Sequence, residues 1–150
     1  MLRIVLSILL LVIGLPLYAG DGLVNVASDY NVPQTTDRLE NILKEKGMTV
    51  FNRIQHSESA QKVGVDLRPT ELLIFGNPKI GSPLMKCQQT VGIDLPQKAL
   101  IWEDADGTVR ITYNDPAYLQ KRHNIIGCDE VLVKVVKALK GITQAAATGK

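Results

Sequence analysis

The stretch Lys98-Ala99-Leu100-Ile101-Trp102-Glu103-Asp104-Ala105-Asp106-Gly107-Thr108-Val109-Arg110-Ile111-Thr112-Tyr113 reads as two strands joined by a tight turn. Asp106-Gly107 carries the turn chemistry, because glycine adopts the left-handed backbone of a hairpin turn without a steric penalty. The flanking residues 98–102 and 108–113 are rich in β-branched and aromatic side chains. In the second strand Val109, Ile111 and Tyr113 share one face, and Thr108, Arg110 and Thr112 share the other. Trp102, at the end of the first strand, is expected in the core. An antiparallel pair with one apolar face must bury that face against another layer, and the sequence on both sides supplies helices for it.

Upstream, Glu71-Leu72-Leu73-Ile74-Phe75 is an apolar run stopped by Gly76-Asn77-Pro78, the pattern of a central strand buried on both faces. Further strands are expected at residues 23–26 and 48–54. Between these two, Pro33 suits a first helical turn, Leu39, Ile42 and Leu43 share a helical face, and Gly47 stops the helix. Ser57 is placed to cap a short helix carrying Ala60 and Val63 and ended by Gly64. Residues 78–89 read as a loop leading into a short helix at Leu84-Met85. Asn114-Asp115-Pro116 is a turn and cap for a helix through Lys121. A last helix starts near Asp129, with Val131, Leu132, Val135, Val136 and Leu139 along one side. No repeat and no linker divides the chain. The expected fold is one α+β domain over residues 20–150, with a mainly antiparallel (mixed) β-sheet packed against helices. Its core spans about residues 23–140, and residues 141–150 form a frayed tail.

The 150 residues include 17 Lys/Arg against 15 Asp/Glu, a balance that gives no electrostatic reason to invoke nucleic acid. The apolar excess is concentrated at the start: residues 1–19 hold 15 apolar side chains and one charge, Arg3. A short basic start, an apolar run shorter than the ~20 residues of a spanning helix, and Leu17-Tyr18-Ala19 read as a signal peptide cleaved after Ala19. An uncleaved anchor is the alternative. Cleavage leaves no stable membrane span and places the domain in the periplasm or outside the cell. There, Cys87 and Cys128 can pair, closing a loop worth roughly 4 kcal/mol on the chain-entropy model. Two buried free thiols, or a redox or metal role, satisfy the same sequence.

The segment 70–79 (TELLIFGNPK) followed by Gly81-Ser82-Pro83-Leu84-Met85 resembles the domain-of-unknown-function family numbered 302. So do Asp94-Leu95-Pro96, residues 98–104 (KALIWED), and residues 113–119 (YNDPAYL) followed by Arg122-His123. The resemblance runs from about Leu23 to Leu139, with the motifs in one order and spacing. It implies a compact α+β fold, often homodimeric, with no established activity. The two cysteines lie outside the pattern.

Candidate site residues follow from side-chain chemistry at turns. His56 and His123 could ligate a metal if folding unites them, with Asp115, Met85 or a cysteine completing the site, although no H-x-x-x-H or C-x-x-C spacing supports this. Two partly exposed histidines are the plainer alternative. Tyr113 and Asp115 stand where a strand ends and a helix begins; Asn77 and Lys79 stand in a loop able to offer amides and a cation to an anion, without the spacing of a phosphate loop. No serine sits in G-x-S-x-G, and the Asp104–Asp106 cluster lacks the terminal Glu of a calcium loop. No motif assigns a cofactor. The expected function is a non-enzymatic, exported small-ligand or metal-binding module with its site around His56, Asn77, Lys79, Tyr113, Asp115 and His123. The alternatives are an enzyme using a histidine and Asp115 as acid and base, and a purely structural dimer.

Overall fold

The computed structural model describes residues 22–149, and the expected signal segment lies outside them. Five strands, β1 (Leu23–Ser28), β2 (Thr49–Gln55), β3 (Thr70–Gly76), β4 (Gln97–Glu103) and β5 (Val109–Asn114), form one sheet in the order β1-β5-β4-β3-β2. Every neighbouring pair is antiparallel. Five helices complete the domain: α1 (Val32–Glu45), α2 (His56–Gln61), α3 (Pro78–Cys87), α4 (Pro116–His123) and α5 (Asp129–Thr148). A 3-10 turn at Gln89–Ile93 leads into β4. The α+β architecture is therefore as expected.

The hairpin sets the polarity of the sheet. Ile101 pairs with Ile111 and Ala99 with Tyr113, and all four are buried. They face α1 and α5, which pack against each other, and Leu39, Leu43, Leu132, Leu139 and Ala146 of these helices belong to the same buried cluster. Trp102 is displaced from the expected core: the alternation that buries Ile101 turns its neighbour to the open face. There, the Trp102 indole donates to Thr112 Oγ1 at 2.7 Å and the Thr112 hydroxyl donates to Asn25 Oδ1 at 2.5 Å. The run in β3 is likewise buried on one face only. Leu73 and Phe75 point inward, whereas Leu72 and Ile74 are half-exposed on the open face. The third inward residue is Glu71, 5% exposed, whose carboxylate accepts from Arg53 at 2.6 Å. Ser57 is no helix cap; its hydroxyl instead accepts from Thr70 N at 3.3 Å and ties α2 to β3.

The tail is not frayed. Helix α5 continues to Thr148 and buries Ile142, Thr143, Ala146 and Ala147. Its last carbonyls find donors in the β1–α1 region. Arg38 donates to Ala146 O at 2.8 Å and to Ala145 O at 3.1 Å, and Asp29 N donates to Ala147 O at 3.0 Å. Tyr30 packs its ring on the Arg38 guanidinium, 4.3 Å from the centroid, holding this donor in place. Helix ends left without such partners fray, and this one has them.

Candidate functional site

Helix α3 starts directly after β3 because Asn77 caps it and Pro78 occupies its first turn. The Asn77 side chain accepts from Lys79 N at 2.9 Å and donates to Gly47 O at 3.1 Å, fixing the angle at which α3 leaves the sheet. Residues 78–89, expected as a loop before a short helix, are thus mostly helix. Pro83 lies inside α3, where it supplies no N–H to the preceding turn. Leu84 is the one α3 side chain that is fully buried.

Between α3, the end of β3, residues 95–97 and one side of α5 lies a cavity of about 380 Å³. This is within the range of small-molecule sites. Its walls are hydrocarbon and thioether: Met48, Ile80, Leu84, Met85, Leu95 and Leu139 are among them, and the polar side chains are limited to Asn77, Ser82 and Gln97. Phe51 and Met85 line it while remaining 55% and 38% exposed, so they stand between the cavity and solvent. Phe51 owes its position to a register break between Val50 and Asn52 on the edge strand β2. A wider depression of about 520 Å³ near α2 is lined by Ser57, Glu58, Gln61 and the exposed residues 64–67, none of which is buried.

Cys87 and Cys128 are bonded, with Cα atoms 6.3 Å apart. The bridge joins the last residue of α3 to the residue preceding α5, the two helices that face each other across the cavity.

The six residues singled out from the sequence take different positions. Asn77 lines the cavity, whereas Lys79 is exposed and is not among the lining residues. Tyr113 is buried on the inner face, and burial, only partly offset by its hydrogen bond with Thr143, raises its hydroxyl above the usual tyrosine value. Asp115 caps α4, accepting from Ala117 N at 2.9 Å. His56 opens α2, half-buried. His123 ends α4 with both ring nitrogens engaged, Nε2 with Asp94 Oδ2 at 2.5 Å and Nδ1 with Thr90 Oγ1 at 3.1 Å. The carboxylate within reach of a histidine is therefore Asp94 and not Asp115, whose oxygen serves the cap. Among the described residues no group of three or more His, Cys, Asp or Glu side chains is arranged to hold a metal. Sequence reasoning missed Asp94 and the apolar lining as a site, although Asp94, Phe75, Leu84, Met85 and Leu95 fall inside motifs quoted for the family resemblance.

The family model described as "Domain of unknown function DUF302" matches residues 24–142. A crystal structure of an uncharacterized conserved DUF302 protein from Bacillus stearothermophilus superposes with a TM-score of 0.72 at 24% identity, covering 85% of this chain and 97% of that one. The chain is also 43% identical over 128 residues to a protein of Brucella suis biovar 1 (strain 1330) named fluoride-specific ion channel FluC 1. That match covers 85% of this chain and 50% of the relative. The protein of the same name from Brucella abortus biovar 1 (strain 9-941) is 43% identical, with 47% of it covered. The chain thus spans about half the length of these relatives. It belongs to the DUF302 family.

Proposed function

We propose that this DUF302 protein is a non-enzymatic small-ligand-binding module whose site is the apolar cavity between α3, the end of β3 and α5. One observation carries the reading: the family-like segments 75–79, 81–85 and 94–96 build much of the wall of a cavity of about 380 Å³. No histidine, carboxylate, lysine or cysteine lines it, which favours binding over acid–base or metal chemistry there. The disulfide supports export, because such bonds persist in oxidising compartments; we place the mature domain in the periplasm or outside the cell, after loss of residues 1–19. The homodimer implied by the family resemblance has a matching surface in the open sheet face, where Ile54, Leu72 and Leu100 align across three strands.

The neutral fluorescent probe N-phenyl-1-naphthylamine tests the cavity directly. It should bind the wild-type protein, and Ala138→Phe or Gly81→Leu, two independent ways of filling the space from α5 or α3, should weaken it about tenfold or more. Absence of binding to the wild type, or equal affinity for both folded variants, would sink the assignment.

The relatives named as fluoride channels favour a second reading. No helix among the described residues is long and apolar enough to cross a membrane. Conduction in those relatives would then reside in the half that this chain does not match, with the DUF302 portion as an accessory module beside a channel. Fluoride efflux from vesicles carrying such a channel, measured with and without this protein and the probe, tests that arrangement; indifference to both removes it.

A further inference from the structure

We propose that Thr90, His123 and Asp94 form an acyl-acceptor site, in which the Thr90 hydroxyl takes an acyl group from an ester or thioester. None of the three lines the cavity, so this site is separate from the proposed ligand site and does not depend on it.

The first observation is convergence. Thr90 lies in the 3-10 turn Gln89–Ile93, and Asp94 closes that turn by donating its N–H to Val91 O at 3.0 Å. His123 arrives from the end of α4, 33 positions after Thr90 and 29 after Asp94, and its imidazole bridges the two. Nε2 lies 2.5 Å from Asp94 Oδ2 and Nδ1 lies 3.1 Å from Thr90 Oγ1, both within hydrogen-bond reach. Hydroxyl, imidazole and carboxylate in that order are the parts of an activated nucleophile: an oxygen, its base, and the group that orients the base.

The second observation is the direction of the two bonds. An ionised carboxylate only accepts, so Nε2 carries the hydrogen that points at Asp94. The neutral ring then keeps a lone pair on Nδ1, and the Thr90 O–H donates to it. Asp94 is fixed from other sides as well, with Arg122 Nη1 3.5 Å from its Oδ1 and Lys98 Nζ donating to its backbone carbonyl at 3.2 Å. The tautomer that makes His123 a base toward Thr90 is therefore the one its surroundings select.

The third observation is graded exposure. The side chains of His123 and Asp94 are 6% and 13% exposed, whereas Thr90 is exposed. The base and its positioning residue are shielded from water, and the oxygen they activate stands where an acyl donor reaches it from solvent. Carbonyl addition asks of the protein one proton taken and given back, which one imidazole supplies. Thr90 Oγ1 bonds to the carbonyl carbon as its proton passes to His123 Nδ1. The tetrahedral adduct collapses, the C–O or C–S bond to the leaving group breaks, and the imidazolium returns the proton to the departing alkoxide or thiolate. The products are O-acyl-Thr90 and an alcohol or thiol, with no change of oxidation state.

The experiment is incubation of the protein with p-nitrophenyl acetate, followed by nitrophenolate release and by peptide mass spectrometry. A single acetyl group should appear on Thr90 and be removed by hydroxylamine, as an ester is and a lysine amide is not. Thr90→Ser should keep the label and Thr90→Val should lose it, both at an exposed position that leaves the fold intact. His123→Gln should slow labelling about a hundredfold, and Asp94→Asn about tenfold or more. Nitrogen-15 magnetic resonance at alkaline pH gives a readout independent of reactivity: the His123 proton should sit on Nε2, and Asp94→Asn should move part of it to Nδ1. Label confined to lysines, equal ester labelling in Thr90→Val, or a wild-type imidazole protonated on Nδ1 would each overturn the proposal and leave the cavity assignment standing.

Discussion

Replacing Cys87 by serine isolates the contribution of the disulfide, because Cys87 is exposed and serine changes almost nothing there but the bond. The partner, Cys128, is 7% exposed and stays in place. The bridge spans a sequence separation of 41, and closing a loop of that length in the unfolded chain corresponds to about 4 kcal/mol at 25 °C. For a domain of roughly 130 residues the entropy of unfolding is about 0.27 kcal/mol/K, so the melting temperature should fall by about 15 °C. Circular dichroism melts of the variant, and of wild type held in a dithiol reductant, should agree. A second readout is local. Helix α3 buries only Leu84 and is interrupted by Pro83, so the bridge is its main tether to α5. Probe affinity should therefore drop even at temperatures where the variant is folded. A melting shift under about 4 °C would refute the chain-entropy reasoning, and unchanged probe affinity would refute the role of the tether.

Gly22 has φ of +91°, and a Cβ there would run into the Tyr118 ring; Gly22→Ala should cost about 2 kcal/mol or more in urea unfolding. Tyr118→Ala should relieve at least half of that loss, and its failure to do so would remove the steric explanation. The Asp104 carboxyl accepts from Thr108 N, Arg110 and Asp106 N, which together hold it below the ordinary value of 3.8. Since the folded value is the lower one, its contribution to stability is present above the unfolded value and is lost as pH falls through the folded value. Nuclear magnetic resonance titration should give a midpoint under 3.8 for Asp104, and Asp104→Asn should flatten the stability profile in that acidic window.

Local chemistry made the hairpin legible, since Asp106-Gly107 and the alternation through Val109, Ile111 and Tyr113 need no partner to be recognised. What depends on distant residues was not. The end of α5 looks like a frayed alanine-rich tail until Arg38, 108 positions earlier, donates to Ala146 O. An apolar run such as Leu72-Leu73-Ile74-Phe75 does not reveal whether one or both faces will be covered; Leu72 and Ile74 became an open face because every layer-forming helix went to the other side. Glu71 points inward only because Arg53 waits for it. The motif around Asn77 was visible, yet its meaning was not: a cavity is a gap between elements, set by where α3 crosses relative to α5. His123 drew attention as a histidine at a turn, but its partner Asp94, 29 positions away, could not be chosen over Asp115 by spacing alone.

The register break in β2 has a further effect at the rim of the sheet. By displacing Phe51 toward the cavity, it interrupts the row of backbone groups that an incoming strand would need on that edge. The opposite edge, β1, runs in unbroken register from Leu23 to Ser28. Among the described residues, β1 is thus the uninterrupted edge of the sheet. Two copies meeting there antiparallel would close on a two-fold axis and stop, because the outer edge of each would be the interrupted one. The irregularity that shapes one wall of a binding cavity also denies the sheet the second edge from which a filament could grow.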